Sequence, residues 1–362
     1  MNILVTGSGG FIGKNLMQWL SQARRDDEVV GYDIGTGDLA QLCRKADFVF
    51  HLAGVNRPID SNDFETGNKT LTEQVLQHCI QGKKPPVLLA SSTQAALGNG
   101  YGKSKKAAEE AAYAYGKETG SPVYIHRLPG VFGKWCRPNY NSVVATFCHN
   151  IANGLPIEVR DPNHELTLVY IDDVCRAFLQ ALDSKAAKGA AIFDVHTITL
   201  GKLAETLKAF RESHTTLKIP DMADAFTKKL HSTYFSYLPN FLHPLTVHAD
   251  ERGSFAELLK SPSAGQVSVN ITKPGYTKGN HWHHTKIEKF ITVSGQGLVR
   301  FRKIGSNDIE EYIVNSNTSA VINIPPGYTH SLENTGTTDL ITIMWANEMF
   351  DTQHPDTFYE QV

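Results

Sequence analysis

Residues 275–295 read GYTKGNHWHHTKIEKFITVSG, and few folds have a use for such a stretch. His281 and His283 stand two positions apart in a segment that reads as a β-strand, so period-two alternation turns both imidazoles to one face. Glu288 follows five residues after His283, and His330 comes later in PPGYTHSLEN. Three imidazoles and a carboxylate brought together inside a barrel of strands would be borderline-to-hard ligands, suited to divalent zinc, iron, nickel or manganese, with zinc the first expectation. His-x-His alone fits a polar strand with scattered histidines equally well, so the longer spacing has to decide.

That spacing is G-x5-H-x-H-x4-E-x6-G followed by P-x-G-x2-H-x3-N, and it resembles the two cupin motifs. Ser319 stands where the second motif usually opens with Gly, which leaves the ligands untouched. The resemblance implies an all-β barrel with His281, His283, Glu288 and His330 as its metal ligands. GQVSVNITKPG, EKFITVSGQGLVRFRKI, IEEYIVN, SAVINIPPG and DLITIMWAN read as short strands with turn signals between them, the rhythm of an antiparallel barrel.

A barrel of this kind accounts for only the last third of 362 residues, so at least two domains are expected. The pattern changes near Pro239, and we place the domains at 1–242 and 243–362. A net charge of −2 shows no basic excess for nucleic acid. No run reaches the roughly 18 apolar residues of a membrane span. MNILVTGSGG lacks the layout of a signal peptide, and five scattered cysteines without CxxC spacing fit reduced thiols, so a cytoplasmic location is expected.

The chain opens with an apolar run, Ile3 to Val5, then Gly7, Gly10 and Gly13 at three-residue spacing, then an amphipathic helix. Strand, glycine turn and helix in that order form a dinucleotide site: the backbone approaches a pyrophosphate, and a helix N-terminus offers free N–H groups. Gly7, Gly10, Phe11, Ile12 and Gly13 are the expected cofactor contacts. Asp33 ends the second strand, where a carboxylate hydrogen-bonds ribose hydroxyls and disfavours a 2′-phosphate, a leaning to NAD. Asp38 opens the next helix and could read the adenine edge. Leu52 and Ala53, in DFVFHLAGV, lie where small residues let the backbone pass beneath the cofactor. Strands alternating with helices at this spacing indicate a doubly wound parallel sheet.

YGKSKKAAEEAAYAYGKE places Tyr101 and Lys105 on one helical face, one turn apart. A neighbouring ammonium is expected to depress the phenol pKa of Tyr101, while Lys105 also holds the nicotinamide ribose. Ser92, ending the strand before, can hydrogen-bond a carbonyl oxygen. Such a set reduces a ketone, with hydride from a nicotinamide and a proton from Tyr101. Farther on, Lys134 and Arg137 are candidate diphosphate partners, and Asn139 and Asn141 candidate contacts to sugar hydroxyls or a base. Asp172 and Asp173 read as caps at the start of a helix.

TGSxGFIG, HLAG, the serine pair and YxxxK together resemble the extended short-chain dehydrogenase/reductase family, the branch acting on sugar nucleotides, over roughly residues 1–240. Two departures stand out: the segment between Asp33 and Asp47 is short, as though a strand and helix were trimmed, and Gly130 replaces the Asn of the family's R-x-x-N-x-x-G pattern. DERGSFAE further resembles the entry strand of sugar-nucleotide cupin epimerases, which remove a proton beside a C4 ketone. His284, Lys273 and Glu333 are candidate bases by proximity to the cupin motifs.

An extended reductase fused to a metal cupin, with HLAGVNRP, FGKWCRPNYNSV and KGNHWHHTK, resembles the bifunctional capsular-polysaccharide enzymes along essentially the whole chain. That resemblance implies a UDP-sugar substrate, NADPH as reductant, epimerisation at C3 of a UDP-2-acetamido-2,6-dideoxy-4-ketohexose by the cupin and reduction at C4 by the first domain. The product would be a UDP-6-deoxy-L-talose derivative on a route to UDP-N-acetyl-L-fucosamine. It also implies a homodimer built through the cupins. In the alternative reading only the reductase is an enzyme, and the cupin dimerises or senses sugar.

Overall fold

The structure, a computed structural model, describes residues 1–58, 60, 63–183, 193–318 and 320–362, so Ser319 lies outside the described residues. The chain divides into two compact units: Met1–Lys208 with Lys229–Pro239, and Ala209–Lys228 with Asn240–Val362.

In the first unit β1 (Asn2–Thr6), β2 (Glu28–Tyr32), β3 (Phe48–His51), β4 (Val87–Ser92) and β5 (Val123–Leu128) form a parallel sheet in the order β2-β1-β3-β4-β5. Between them run α1 (Phe11–Ala23), α2 (Leu39–Lys45), α3 (Leu71–Ile80) and α4 (Gly100–Thr119). The strands are apolar on both faces because both faces are covered. Ile3, Val5, Phe48, Phe50 and Leu88 pack with Leu16 and Leu20 of α1 in one core, while Leu4, Val49, Val87 and Leu89 join Val75 of α3 and Ala112 of α4 in the other. Phe50, fully buried with its ring 4.7 Å from that of Phe48, would cost about 3–5 kcal/mol if cut to Ala.

Strand order reverses between β1 and β3, and ligands of such sheets sit outside the carboxyl ends of the strands at that crevice. The short segment after Asp33 contains α2 and no strand, so β2 is the sheet edge. Asp38 caps α2, its carboxylate accepting from Gln41 N at 3.1 Å. A smaller sheet, β6 (Gly130–Phe132), β7 (Glu165–Tyr170) and β8 (His196–Thr199), lies among α5 (Val143–Ala152), α6 (Ile171–Leu182), α7 (Leu200–Thr216) and α8 (Ala225–Phe235) in chain order.

Asp172 and Asp173 sit in the first turn of α6, but neither caps it: Tyr170 is the N-cap residue, with no side-chain cap bond. Both carboxylates are drawn off by cations. Asp172 accepts from Trp19 Nε1 at 3.0 Å and Lys134 Nζ at 2.7 Å, and Asp173 pairs with Arg176 and Lys229.

The second unit is antiparallel throughout its two sheets. One contains β9 (Val247–Asp250), β10 (Gly253–Ser261), β11 (Gly265–Thr272), β13 (Glu288–Ser294), β16 (Val321–Ile324) and β18 (Leu340–Ala346). The other contains β12 (Thr277–Trp282), β14 (Gln296–Lys303), β15 (Ile309–Asn315), β17 (Tyr328–Asn334) and β19 (Phe358–Tyr359). Phe290, Val299, Phe301, Val314, Ile324, Leu332 and Leu340 form its apolar core. Residues 217–219 add to this unit through a parallel bridge, with Ile219 N to Lys260 O and Lys260 N to Leu217 O both at 2.7 Å. Among the described residues no helix is long and apolar enough to cross a membrane.

Candidate active site and metal centre

The turn from β1 to α1 is built by close approach. Gly7 adopts φ +74°, and a Cβ there would come within 2.6 Å of Ala53 N; a Cβ on Gly13 would lie 2.1 Å from Gly7 O. Neither position tolerates a side chain, so the turn stays bare where a pyrophosphate would approach. Gly10, Phe11 and Ile12 stand at the N-terminus of α1, whose first turn contains no acidic residue. Asp33 reaches back over this turn, its Oδ2 accepting from Ser8 Oγ and Gly9 N, both at 2.7 Å. Leu52 N bonds to Thr6 O at 3.1 Å, which carries Leu52 and Ala53 past the end of β1. These residues fit a nicotinamide dinucleotide: a Cβ-free cradle, an open helix N-terminus and a carboxylate at the end of β2.

Ser92, Tyr101 and Lys105, the expected proton-transfer set, belong to the carboxyl end of β4 and the helix after it. α4 starts at Asn99, whose side chain accepts from Gly102 N at 2.7 Å, and ends at Gly120 in the left-handed region. Gly102, Lys105, Ala108, Glu109 and Ala112 line its buried face. The Ser92 hydroxyl, which accepts from Gln94 N at 3.2 Å, is near enough to Tyr101 to favour its phenolate, and Lys105 Nζ lies 6.0 Å from the Tyr101 ring centroid. Lys105 is buried, donates to Ala90 O at 3.2 Å, and is pulled down to about 8 by burial while Glu109 opposes the fall. The pKa expected for Tyr101 is corrected here. Burial raises it, Ser92 only partly offsets this, and Lys105 does not lower it. A phenol that holds its proton is the form a reduction needs, since the ketone oxygen must receive one.

Glu109 is the polar residue that sequence reasoning passed over. It lies one turn beyond Lys105, 3 % exposed, accepting from Ser91 Oγ at 2.5 Å and bidentately from Arg127 at 2.9 and 2.6 Å. Burial works against its charge, but Arg127 and Ser91 hold its carboxyl below the usual range. Asn68, in a π-helical turn at Glu65–Thr70, clamps Val55 through both amide atoms and donates to Ser104 Oγ at 3.0 Å, tying the loop after β3 to α4.

The four residues expected to meet substrate fare differently. Lys134 is already engaged by Asp172. Arg137 stands 5.2 Å from the Tyr140 ring centroid, and Arg57, from the loop after β3, stands 5.8 Å from the same ring. Neither guanidinium has a carboxylate partner among the described residues. Asn139 holds φ +55° with its N–H bonded to Thr146 Oγ1 at 2.9 Å, and Asn141 is exposed on the same loop. The motif HLAGVNRP contained Arg57, but only the shared contact with Tyr140 sets it apart.

In the second unit His281, His283, Glu288 and His330 each offer a ligand atom, and these atoms all lie within 4.8 Å of one another. His281 faces His330 across β12 and β17, rings 4.6 Å apart. Glu288 Oε2 lies 3.3 Å from both His283 Nε2 and His330 Nε2. Burial opposes the Glu288 charge, yet His283 and His330 hold its carboxyl well below the usual range, and burial drops His281 to about 4, so it is neutral at pH 7. His330 is 1 % exposed with neither ring nitrogen in a hydrogen bond. Buried imidazoles converging on one another and on an ionised carboxylate, with His330 Nδ1 lacking any partner, fit a divalent cation.

The cluster opens into a cavity of about 670 Å³, whose polar lining includes His248, Arg252, Glu257, Asn270 and Lys278. Of the candidate bases, none lines it. His284 stacks against Trp282 and Phe358, Glu333 is paired with Arg300 at 2.6 Å, and Lys273 is exposed. Lys278 does: its Nζ donates to Asn270 Oδ1, Ile271 O and Ser254 O.

A parallel nucleotide-binding sheet ending in Ser92, with Tyr101 and Lys105 on the helix that follows, and then two antiparallel sheets around a three-histidine, one-glutamate cluster define an extended short-chain dehydrogenase/reductase joined to a cupin. The chain belongs to the NAD dependent epimerase/dehydratase family, which it matches over residues 3–195. Residues 248–358 match the polysaccharide biosynthesis C-terminal domain. The chain is 43% identical to the UDP-2-acetamido-2,6-beta-L-arabino-hexul-4-ose reductase of Pseudomonas aeruginosa, covering 99% of this chain and 98% of that one. Among solved structures it is similar to the capsular polysaccharide assembling protein CapF from Staphylococcus aureus, at 46% identity and TM-score 0.94 over 100% of both chains. The UDP-glucuronic acid 4-epimerase from Bacillus cereus, at 20% identity and TM-score 0.56 over 66% of this chain and 99% of that one, shares the fold of the first part.

Proposed function

We propose that this protein reduces the C4 ketone of a UDP-2-acetamido-2,6-dideoxy-4-ketohexose, and that its cupin inverts C3 of the same sugar before the reduction. The observation that carries the first half is Tyr101 with Lys105 buried one turn along the same helix, Nζ 6.0 Å from the Tyr101 ring centroid, and Ser92 at the end of β4 beside them. A nicotinamide cofactor, NADPH by likeness to the family, supplies the hydride when bound. Gly7, Gly10, Phe11, Ile12 and Gly13 hold its pyrophosphate, Asp33, Leu52 and Ala53 line its adenosine side, and Lys105 takes the nicotinamide ribose. Ser92 orients the ketone oxygen, and Tyr101 gives up its phenolic proton to that oxygen as C4 gains the hydride. Arg57 and Arg137 meet the diphosphate, with Asn139 and Asn141 toward the nucleotide or sugar.

The substrate class rests on the Pseudomonas aeruginosa reductase, whose name describes a UDP-linked 4-ulose, and on the likeness to CapF, described as capsular polysaccharide assembling. The product would be a UDP-6-deoxy-L-talosamine-type sugar on the way to UDP-N-acetyl-L-fucosamine and surface polysaccharide. A C3–H beside a ketone is acidic because the carbanion is delocalised, which makes epimerisation feasible in the cupin cavity. A divalent ion at His281, His283, Glu288 and His330, zinc by preference, supplies positive charge there; four protein ligands also suit a purely structural zinc. We place the homodimer contact in the cupin.

The test is turnover of the 4-keto UDP-sugar with NADPH and with NADH, products read by NMR in deuterated solvent. C4 reduction with deuterium at C3 is expected. Reduction without deuterium would leave a reductase whose cupin only dimerises or senses sugar, and absence of any reduction would refute the reading.

A further inference from the structure

The last eight residues belong to the metal centre more than to the barrel edge. β19 pairs with β12, placing Tyr359 opposite His281 and Phe358 opposite Trp282. Glu360 N bonds to Asn280 O at 3.0 Å, Arg302 Nη2 holds Glu360 Oε1 at 2.7 Å, and Thr329 Oγ1, one residue before His330, bonds to Glu360 O. The tail therefore touches the backbone neighbourhood of three ligands. Its densest contact is Asp356.

The Asp356 carboxylate accepts four hydrogen bonds from the loop that follows His283: His284 N, Thr285 N and Lys286 N at 2.9 Å each, and Thr285 Oγ1 at 3.0 Å. Its own carbonyl oxygen lies 2.5 Å from His283 Nδ1. Asp356 holds φ +40°, a left-handed backbone that non-glycine residues adopt only where surroundings impose it. Lys286 Nζ ties down the preceding residue, donating to Pro355 O at 2.6 Å.

A ligand histidine has two ring nitrogens, and the one that donates sets the one that coordinates. With Nδ1–H given to the Asp356 carbonyl, His283 presents Nε2 to the cluster, 3.3 Å from Glu288 Oε2, as the nitrogen left to coordinate a cation. The carboxylate meanwhile fixes three successive backbone N–H groups, which keeps the loop beneath that imidazole from rotating. We propose that Asp356 is a positioning residue of the metal centre, fixing the His283 tautomer through its carbonyl and the His283–Lys286 loop through its carboxylate. This rests on the reading of His281, His283, Glu288 and His330 as metal ligands.

The experiment titrates metal-free full-length protein with Zn²⁺ against a chromophoric chelator, for the wild type, Asp356→Asn and Thr285→Val, with a thermal melt of each metal-free protein. Loss of outer contacts around a ligand histidine weakens metal affinity about 10- to 100-fold, and because Asp356→Asn keeps the backbone carbonyl on His283 and loosens only the loop, a loss of about tenfold is expected for it. Thr285→Val removes only one of the four donors and should weaken Zn²⁺ by less than Asp356→Asn. Long-range ¹H–¹⁵N spectra of the metal-free wild type at pH 8 should show His283 Nδ1 protonated, a readout that needs no variant to fold. Asp356→Asn that melts lower yet binds Zn²⁺ as the wild type does, or a His283 with Nδ1 unprotonated, overturns the proposal. A wild type that takes up no Zn²⁺ refutes the ligand reading itself, and this inference with it.

Discussion

Replacing Glu109 by Gln should move the pH at which the reductase loses its grip on cofactor, because Glu109 is the carboxylate that opposes the discharge of Lys105. Lys105 is held at about 8 by burial against the pull of Glu109. The groups around it are few. His51 is buried and driven down to about 3, hence neutral, Tyr101 keeps its proton, and Arg127 is already bonded to Glu109. Glu109 lies one helical turn away, so at about 6 Å and an effective dielectric of about 20 its charge is worth on the order of 2–3 kcal/mol, an upper limit of about two pH units. Some of that is screened on the half-exposed Arg127 side, and a fall of one to two units is the working figure.

The sign follows directly: a lysine whose pKa falls is charged over a narrower range, and what its charge does is lost at lower pH. kcat/KM for NADPH reports the free enzyme, so its alkaline limb should shift from about 8 to about 6–7 in Glu109→Gln. At pH 7.5 the variant should be slower by about 3- to 20-fold, and at pH 5.5 within about twofold of the wild type. Glu109→Gln also breaks the ion pair with half-exposed Arg127, so a thermal melt is run alongside. If the melt drops while the limb stays near 8, Glu109 is scaffold only, and the charge of Lys105 is set by something else.

Tyr101→Phe should lower NADPH oxidation by about 10²- to 10⁴-fold while deuterium still enters C3 of the ketosugar; loss of both signals would contradict two separate sites. His330→Ala removes a ligand imidazole that is 1 % exposed, and metal analysis of the purified variant should find little metal; stoichiometric metal would sink the ligand assignment. Arg57→Ala should raise KM for the UDP-sugar about tenfold or more with kcat nearly intact, since a lost charge-assisted bond is worth about 1.5–3 kcal/mol. An unchanged KM would remove Arg57 from the diphosphate site.

Legible in the amino-acid sequence is whatever the chemistry imposes locally. A bare glycine turn between strand and helix, a Tyr and Lys one turn apart, and histidines at cupin spacing are short-range patterns with few other uses. What escapes such a reading is decided by partners far along the chain. Lys134 looks free beside Arg137, but Asp172 claims it; Asp172 and Asp173 look like caps, but Lys134, Trp19, Arg176 and Lys229 claim them. Tyr101 beside a lysine promises a lowered phenol pKa, and burial reverses the direction because Lys105 stands off the ring.

Lys278 shows the same limit at the scale of one strand. Strict alternation back from His281 assigns Gly279 and Thr277 to the ligand face and turns Lys278 away from it. The register of β12 against β17 shifts between Gly279 and His281, with Gly279 at φ +96° and Asn280 at φ +56°. One extra residue in the strand restores the opposite parity, so Lys278 and His281, three positions apart, face the same cavity. Gly279 allows this because a Cβ there would lie 2.7 Å from His330 O, against the very strand that carries the fourth ligand. The bulge thus puts Lys278 and the histidine–glutamate cluster in the lining of one cavity.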